Sequence, residues 1–464
     1  MDRILNFLSD YSVSLTYQKL PKSVVHEVKR HVIDAFGCAM GCYHAQPCRI
    51  ARDQALEVVS TPGSTILGTR HQSSPELAAF ANGVMVRYLD FNDTSMGNSG
   101  HPSDNVMAVL ATAEYAGADV QTAIAGIVIA YEMQDRFGAA CKQIRDNGWD
   151  HVIYVALGSA AGAGKVMRMN KEQMANALAL AVVPNAGMNQ TRAGRLSMWK
   201  GCASANGARN GVFAALMARR GLSGPDEPFD GYWGFKNQLG TSLNLAPAFG
   251  GEGVPFTIEN DIFKYYPCNY EAQCAVTPAL ELHKALKGKV DEIETVEIET
   301  YEHAVQSTAD TRDKWNPTSR ETADHSSPYV VAVALTRGTV WLDDFLEQGI
   351  TDPKIHSLMQ KIEVRATEEH TKAWPKACPF RITATTKSGR KHVREVQYAK
   401  GHPKNPMSDG EIEAKFRRLA EPVMGQARAG EALSRLWHLE DMKSVREIPA
   451  LFVLDSTTPC ADRL

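Results

Sequence analysis

The chain is organised around the stretch Tyr88-Leu-Asp-Phe-Asn-Asp-Thr94, which continues through a glycine-bearing segment to Gly100-His-Pro-Ser-Asp-Asn105. It carries three carboxylates and one histidine: Asp90, Asp93, Asp104 and His101. Apolar sequence on either side predicts two helices, over 75–87 and 106–116. A titratable segment between apolar helices is costly to bury unless its groups are hydrogen-bonded or used in chemistry. This stretch is therefore the first candidate for a functional site.

Helical periodicity runs through most of the chain before residue 265. Apolar residues recur at helical spacing from residue 22 and predict a helix that ends near Gly41. Alanine-rich segments predict further helices at 105–117, 121–140, 156–168, 172–184 and 203–220. Asn170 followed by Gln173 predicts a capped start for the helix at 172. Because small residues let helices approach closely, we predict one compact helical bundle over 1–265.

A different pattern begins after about residue 287. Val290-Asp-Glu-Ile-Glu-Thr-Val-Glu-Ile-Glu-Thr300 alternates apolar with acidic residues, which predicts a half-exposed strand. Asp352-Pro353 predicts the start of a helix that leads into a strand at 362–365, and 380–396 predicts a β-hairpin. Ser408 and Glu411 form a capping box that returns the chain to helix.

These patterns together predict a mainly α fold. We expect a large all-helical domain made of 1–265 and 401–464. A smaller α+β domain, 266–400, is inserted before the C-terminal return and would act as a lid over a site.

Composition and charge exclude several classes of function. The 464 residues are 44% hydrophobic and 22% charged, as in ordinary globular proteins. A net charge of −3 argues against nucleic acid or an anionic membrane surface as a partner. The first residues lack the apolar core of a secretory signal, and no run reaches the roughly 18–20 apolar residues of a membrane span. We expect a cytoplasmic protein.

The nine cysteines are scattered and form no C-x-x-C pair. Cys38, Cys42 and Cys48 come closest to a cluster. Buried, reduced thiols that pack like small apolar groups are the interpretation we favour. A metal or iron–sulfur site is the alternative.

Nucleotide and metalloprotease motifs are missing from the sequence. It contains no G-x-G-x-x-G after a strand, no phosphate-binding P-loop and no H-E-x-x-H. Gly158-Ser-Ala-Ala-Gly-Ala-Gly164 lies inside a predicted helix, so we interpret it as close helix packing rather than a phosphate loop.

Cationic and imidazole side chains recur beside aromatic and small residues. They are His151 after Trp149-Asp150, Arg192 and Lys200 around Trp199, Arg209 at the start of an apolar helix predicted over 210–218, Lys264 beside Tyr265, and His325 ahead of an apolar helix at 330–335. Such cations are often solvated, but these neighbours favour a pocket wall. Cations, histidines and an aspartate together suit a polycarboxylate. Lysine and arginine would stabilise the enolate-like charge that forms when a proton leaves beside a carboxylate, and histidine would carry that proton.

Motifs along the whole chain resemble those of one family. They are Leu89-Asp-Phe-Asn-Asp-Thr94 with His101-Pro-Ser-Asp-Asn105, Gly148-Trp-Asp-His151, Met198-Trp-Lys-Gly201 with Ala208-Arg-Asn210, Phe263-Lys-Tyr-Tyr-Pro267, Glu321-Thr-Ala-Asp-His-Ser326, and Asn405-Pro-Met-Ser-Asp409. In this order they resemble the MmgE/PrpD family. The resemblance implies a large helical domain with a smaller α/β lid, a homodimer, and chemistry without a metal or organic cofactor.

The resemblance and the residue pattern together suggest roles for individual side chains. The expected catalytic residues are His101, Asp90, His151, Lys264 and Tyr329. The expected substrate-binding residues are Thr94, Lys200, Arg209, Arg192, His325 and Asn269. His101 would transfer the proton, oriented by Asp90, with His151 as the second acid or base. Asp93 and Asp104 are expected to cap neighbouring helices instead.

The resemblance implies water elimination from a small tricarboxylate, as in the conversion of 2-methylcitrate to 2-methylaconitate. Arg209 and the Trp-Lys-Gly motif resemble this branch. Asn269 and Glu271 depart from it, because the family pattern has an acidic residue and a histidine there. Decarboxylation of cis-aconitate and epimerisation of iminodisuccinate therefore stay open. A non-catalytic carboxylate binder with the same fold is an alternative of another class.

Overall fold

The computed structural model describes residues 2–95, 100–141, 144, 146–194, 196–240, 243, 245 and 249–454. The chain divides into two compact units. The first comprises Met1–Arg192, Trp199–Asp261 and the segment that begins at Ser408. The second comprises Ala193–Met198 and Ile262–Met407.

Helices build nearly all of the first unit. Its α-helices are Arg3–Ser14, Lys22–Gly41, Gln46–Leu56, Pro75–Arg87, Val106–Ala116, Val120–Ala140, Val152–Val166, Lys171–Val182, Trp199–Arg219, Phe235–Leu239, Asp409–Met424, Gln426–Trp437 and Glu447–Ala450. Short 3-10 helices span Tyr17–Lys19, Pro102–Asn105, Asn189–Arg192, Thr257–Asn260 and Leu439–Asp441. One antiparallel ribbon, Ser64–Thr65 with Gln72–Ser73, interrupts the expected all-helical pattern.

Small residues set the spacing between these helices. A Cβ added to Gly162 would lie 2.9 Å from the carbonyl oxygen of Gly126 on the neighbouring Val120–Ala140 helix. One added to Gly158 would lie 2.7 Å from the carbonyl oxygen of Ala130. Real Cβ atoms do not come this close, so the helices could not pack at this distance with larger residues. The interpretation of the glycine run 158–164 as close helix packing is confirmed.

The second unit combines one four-stranded sheet with helices. Its strands run in the order Ile362–Ala366, Ile293–Thr300, Phe380–Thr386 and Lys391–Val396. The first pair is parallel, with Ile298 opposite Val364, and the other two pairs are antiparallel. Its α-helices are Tyr270–Ala285, Glu302–Thr308, Arg312–Trp315, Arg320–Ala323, Ser327–Arg337, Glu347–Ile350, Pro353–Met359 and Glu368–Ala373, with 3-10 turns at Val290–Glu292 and Leu342–Phe345.

The mainly α fold is confirmed, as are the predicted strand near 293 and the hairpin. Both capping boxes form, at Asn170 with Gln173 and at Ser408 with Glu411. Two predicted helix starts are wrong. The helix expected at 156 begins at Val152, and the helix expected at 203 begins at Trp199. The chain passes from the first unit to the second between residues 261 and 262 and returns between residues 407 and 408. The sequence had placed these two limits at 265/266 and 400/401.

Two smaller observations concern cysteines and membranes. Eight cysteines lie among the described residues, all buried and none in a disulfide, whereas Cys460 lies outside the described residues. Among the described helices, none has the length and apolarity that crossing a membrane requires.

Candidate active site

A tight turn follows the Pro75–Arg87 helix and brings Asp90 close to Arg87. Asp90 has a left-handed backbone, with φ 51°, and its amide donates to the carbonyl of Arg87 at 3.0 Å. This turn returns the Asp90 carboxylate to the guanidinium of Arg87, which donates a hydrogen bond to it. Both side chains are almost fully buried. The ion pair offsets the cost of burying either charge alone.

His101 is held by one acceptor and one donor. Its Nδ1 lies 2.6 Å from the carbonyl oxygen of Asp93, which can only accept a hydrogen bond. Its Nε2 lies 3.0 Å from Nη2 of Arg87, which can only donate. These two partners place the ring proton on Nδ1 and leave a lone pair on Nε2. This arrangement suits a neutral imidazole whose Nε2 lone pair accepts from Arg87, with Oδ1 of Asp90 a further 3.8 Å neighbour of the same nitrogen.

Lys200 brings a second cation to the same carboxylate. Its Nζ lies 3.5 Å from Oδ2 of Asp90, and the lysine is 2% exposed. The next residue, Gly201, permits this approach, since a Cβ there would lie 3.1 Å from Cδ2 of Tyr88. We call Arg87, Asp90, His101 and Lys200 the Asp90 cluster.

Asp104 is a further buried acid at the edge of the Asp90 cluster. Its Oδ2 lies 3.9 Å from Nε of Arg87, and its Oδ1 accepts from the side-chain Nδ2 of Asn92 at 3.1 Å. Burial raises the pKa of Asp104 to about 6, although Arg87 and a hydrogen bond from Ser204 oppose the rise. Asp104 lies inside the Pro102–Asn105 turn, and its carboxylate accepts from side chains. The expected helix-capping role is wrong for this residue.

Asp93 has a carboxylate with hydrogen-bond donors on both oxygens. Oδ1 accepts from the amide of Ser103 at 3.0 Å and from its hydroxyl at 2.6 Å. The backbone amide of Ser103 ties Asp93 to the start of the Pro102–Asn105 turn, although the N-cap residue of this short 3-10 helix is His101. Oδ2 accepts from Tyr131 at 2.8 Å and lies 2.8 Å from Nδ1 of His31.

Thr94 is hydrogen-bonded to Gly100. Its hydroxyl donates to the carbonyl of Gly100 at 3.0 Å, and the amide of Ser95 donates to the same oxygen at 2.9 Å. Residues 96–99 lie outside the described residues. The hydroxyl that was expected to contact substrate thus has a backbone partner in this structure.

A second imidazole lies beside the Asp90 cluster at the start of the Val152–Val166 helix. His151 Nδ1 is 2.9 Å from Oδ1 of Asp150, and Oδ2 of Asp150 is 3.1 Å from Nε of Arg192. The centroids of the His101 and His151 rings are 6.0 Å apart. Two oriented imidazoles at this separation, with Arg87 and Lys200 nearby, can move protons next to a bound anion.

Family models match both halves of the chain. The MmgE/PrpD N-terminal domain matches residues 6–247, and the MmgE/PrpD C-terminal domain matches residues 266–439. The chain belongs to the MmgE/PrpD family. The N-terminal match contains the whole Asp90 cluster together with His151.

Curated relatives of this MmgE/PrpD protein carry dehydratase names. The mitochondrial 2-methylcitrate dehydratase of Yarrowia lipolytica is 29% identical over 86% of this chain and 80% of its own length. The 2-methylcitrate dehydratase of Cupriavidus necator is 29% identical over 78% of this chain and 77% of its own length. The alkylcitrate dehydratase phiI of Talaromyces stipitatus is 25% identical over 90% of both chains.

Four predicted site residues belong to the second unit of this MmgE/PrpD protein: Asn269, Tyr329, His325 and Lys264. Asn269 caps the Tyr270–Ala285 helix, because its Oδ1 accepts from the amides of Glu271 and Ala272 at 2.9 and 3.3 Å. The Tyr329 hydroxyl donates to the carbonyl of Asp344, and burial raises the pKa of this tyrosine above its ordinary value. Their expected contacts with substrate stay predictions.

The other two of these residues are ionisable. His325 is hydrogen-bonded through Nδ1 to Asp324, the residue before it. Lys264 is 1% exposed and lies between the two family matches. Their roles also stay predictions from the resemblance.

Arg209 is not brought to the Asp90 cluster. It lies in the middle of the Trp199–Arg219 helix and donates to Oδ1 of Asn210 at 3.0 Å. It lines a separate cavity of about 410 Å³ with Asn185 and Phe213. The sequence had placed Arg209 at a helix start, near Lys200 in one segment. That placement is wrong because the helix already begins at Trp199.

Sequence reasoning missed two residues of the site. Arg87 looked like the polar end of an apolar helix, and Asp150 like the neighbour of a histidine. The sequence contained a spacing that could have identified each of these two residues. Arg87 and Asp90 are three residues apart, and Asp150 adjoins His151, so each could have been paired with a candidate already chosen.

Proposed function

We propose that this protein is a hydro-lyase that removes water from a small hydroxy-tricarboxylate of the 2-methylcitrate type. The observation that carries the proposal is His101, whose Nε2 accepts from the buried Arg87 in the cluster where Lys200 pairs with Asp90. The names of the relatives support the same reaction class. No cofactor takes part in the proposed reaction, and the expected homodimer and cytoplasmic location also remain proposals.

In the proposed reaction His101 is the base. When the Arg87 guanidinium turns from Nε2 to a bound substrate carboxylate, the Nε2 lone pair takes a proton from the carbon next to that carboxylate, and negative charge builds up on the carboxylate. Arg87 and Lys200 stabilise this charge in a buried, weakly screened environment, where such stabilisation is largest. Asp90 holds both cations in place without being consumed.

His151 is the proposed acid. As an imidazolium it donates its Nε2 proton to the leaving hydroxyl, the carbon–oxygen bond breaks, and water and an alkene acid result. Asp150 accepts from Nδ1 and stabilises the charged ring, and Arg192 keeps that carboxylate ionised through its own ion pair. After turnover His101 holds one extra proton and His151 lacks one, and exchange with solvent restores both.

The primary test is the variant His101→Gln. We expect the rate at which the conjugated alkene acid forms, followed by its ultraviolet absorbance, to fall by roughly 10²–10⁴-fold, the usual contribution of an acid–base group. His438→Gln is the matched control, since His438 is exposed and its ring Nδ1 hydrogen-bonds to the carbonyl of Ser434. Unchanged turnover in His101→Gln would contradict the assigned role.

Product mass separates water elimination from the two other reactions open to the same residues. Loss of water supports the proposal, loss of carbon dioxide identifies a decarboxylase, and an unchanged mass with altered stereochemistry identifies an epimerase. A non-catalytic binder would be stabilised by tricarboxylates in a thermal-shift measurement and would form no product.

A further inference from the structure

The carbonyl that fixes the tautomer of His101 is itself held by a buried shell of side chains. That carbonyl belongs to Asp93, whose side chain is 0% exposed. Four donors surround the carboxylate: the amide and hydroxyl of Ser103, the hydroxyl of Tyr131, and Nδ1 of His31. A carboxylate with donors on both oxygens has little freedom to rotate, so the backbone of Asp93 is fixed with it.

The donors come from separate elements of the first unit. His31 lies in the Lys22–Gly41 helix, Tyr131 in the Val120–Ala140 helix, and Ser103 in the turn after His101. The rings of His31 and Tyr131 also make an edge contact, with centroids 5.2 Å apart. Asp93 is therefore tied to two helices and to the turn at once. A shift of either helix would move the carbonyl that His101 needs.

The Asp93 carboxylate keeps its charge in this shell. Burial alone would raise the pKa of Asp93, but the hydrogen bonds from His31, Ser103 and Tyr131 lower it below its ordinary value. An ionised acceptor requires a donor at Nδ1 of His31. Neither His31 nor Asp93 is needed as an acid or base in the proposed reaction, so burying both calls for another explanation.

We propose that His31 and Asp93 are positioning residues that hold the Asp93 carbonyl against Nδ1 of His101 and so keep Nε2 of His101 unprotonated. This inference rests on the proposed role of His101 as a base. A proton on the wrong nitrogen would leave the imidazole unable to accept one from substrate, which is the effect of losing the orienting group in other acid–base pairs.

Histidine NMR tests the proposal without any substrate. In enzyme labelled with ¹⁵N-histidine, two-bond proton–nitrogen correlations report which ring nitrogen carries the proton. His101→Gln identifies the His101 signal among the 14 histidines. We expect His101 of the unaltered enzyme to carry its proton on Nδ1. A proton on Nε2 in that enzyme would overturn the inference.

A matched pair of variants at His31 isolates the hydrogen bond to Asp93. The amide of His31→Asn can occupy the place of Nδ1 and donate to Asp93, whereas the longer side chain of His31→Gln puts its amide near the place of Nε2. We expect the Nδ1–H tautomer to persist in His31→Asn and to become mixed in His31→Gln. Identical tautomers in the two variants would overturn the inference.

Asp93→Asn provides a second test if His31→Gln does not fold, because it keeps the shape and removes the charge. We expect a mixed tautomer there too, and a retained Nδ1–H tautomer would contradict the proposal. Thr112→Val is the control, since it removes a buried hydroxyl that donates to Ala108 at 2.8 Å outside this shell. It should leave the His101 signals unchanged.

Kinetics add a second readout if the proposed reaction is found. We expect kcat of His31→Gln to fall roughly 10- to 100-fold with little change in KM, as when groups that orient an imidazole are removed. His31→Asn should recover most of this loss. If the tautomers behave as expected but no tricarboxylate is dehydrated, the proposed function fails and the positioning role stands.

Discussion

Asp104 shows what burial does to a single carboxylic acid. Its folded pKa of about 6 lies above the ordinary value of 3.8 because desolvation outweighs the attraction of Arg87. The folded state therefore binds a proton that the unfolded state has lost between these two pH values. Stability falls as pH rises through this window, and the full cost is present above pH 6.

We expect Asp104→Asn to remove this pH dependence. Relative to the unaltered protein, the free energy of unfolding of the variant should rise by up to about 3 kcal/mol between pH 4 and pH 7, because only the unaltered protein loses stability as Asp104 ionises. Urea unfolding at pH 4.5, 5.5 and 7.5 measures the difference. Asp119→Asn is the control with opposite sign. Burial raises the pKa of Asp119, but hydrogen bonds from Thr122 together lower it below its ordinary value. If the free energies of unfolding of Asp104→Asn and of the unaltered protein differ by the same amount at every pH, the raised pKa of Asp104 is contradicted.

The Trp199–Arg219 helix carries two cations, Lys200 and Arg209, and its geometry places only Lys200 at the Asp90 cluster. Lys200 and Arg209 are nine residues apart, which corresponds to about two and a half turns and about 13 Å of rise. They therefore project from opposite faces of one helix. Lys200 meets Asp90, whereas Arg209 faces the cavity near Asn185 and Phe213.

Two matched variants of this helix test the difference. Lys200→Met should lower kcat/KM for the tricarboxylate by roughly 10²-fold or more, the scale seen when one group that stabilises transition-state charge is removed. Arg209→Met removes the same charge from the other face and should change kcat/KM by less than roughly 3-fold. Equal losses in steady-state kinetics would support the substrate-binding role that the sequence predicts for Arg209.

On the scale of the molecule, the C-terminal return of the chain completes the first unit. The Asp409–Met424 helix packs on Lys22–Gly41, where a Cβ at Gly37 would lie 3.2 Å from Cα of Phe416. Lys415 of the Asp409–Met424 helix forms an ion pair with Asp34 of the Lys22–Gly41 helix, with Nζ 2.6 Å from Oδ1. The same Nζ donates to the carbonyl of Phe91 at 2.7 Å. A helix 324 residues away in sequence thus holds the residue next to Asp90.

We expect Lys415→Met to lower the free energy of unfolding by about 3–5 kcal/mol, because it leaves the buried Asp34 carboxylate without its cation. Asp34→Asn combined with Lys415→Met should cost clearly less than the two single changes together. Lys171→Met breaks the exposed pair with Asp10 at 2.7 Å and should cost less than about 1 kcal/mol. Additive losses in a urea double-mutant cycle would argue against coupling between Asp34 and Lys415.

The sequence by itself determined the mainly α fold, the helices and hairpin, and the stretch that bears Asp90 and His101. Hydrophobic period, caps and turns act over a few residues, so they can be read along the chain. The pattern of cationic and imidazole side chains added His151 and Lys200 to that stretch, and the domain matches confirm the family resemblance. What these residues do in catalysis stays a proposal.

Only the tertiary structure decided which charges meet. It paired Arg87 with Asp90, set Asp150 between His151 and Arg192, separated Lys200 from Arg209, and joined strand Ile293–Thr300 in parallel to Ile362–Ala366. It also showed that Asp93, expected only to cap a helix, accepts a hydrogen bond from Nδ1 of His101 through its backbone carbonyl. These relations depend on distances between elements far apart in sequence and on the phase of each helix, and no local pattern records either quantity.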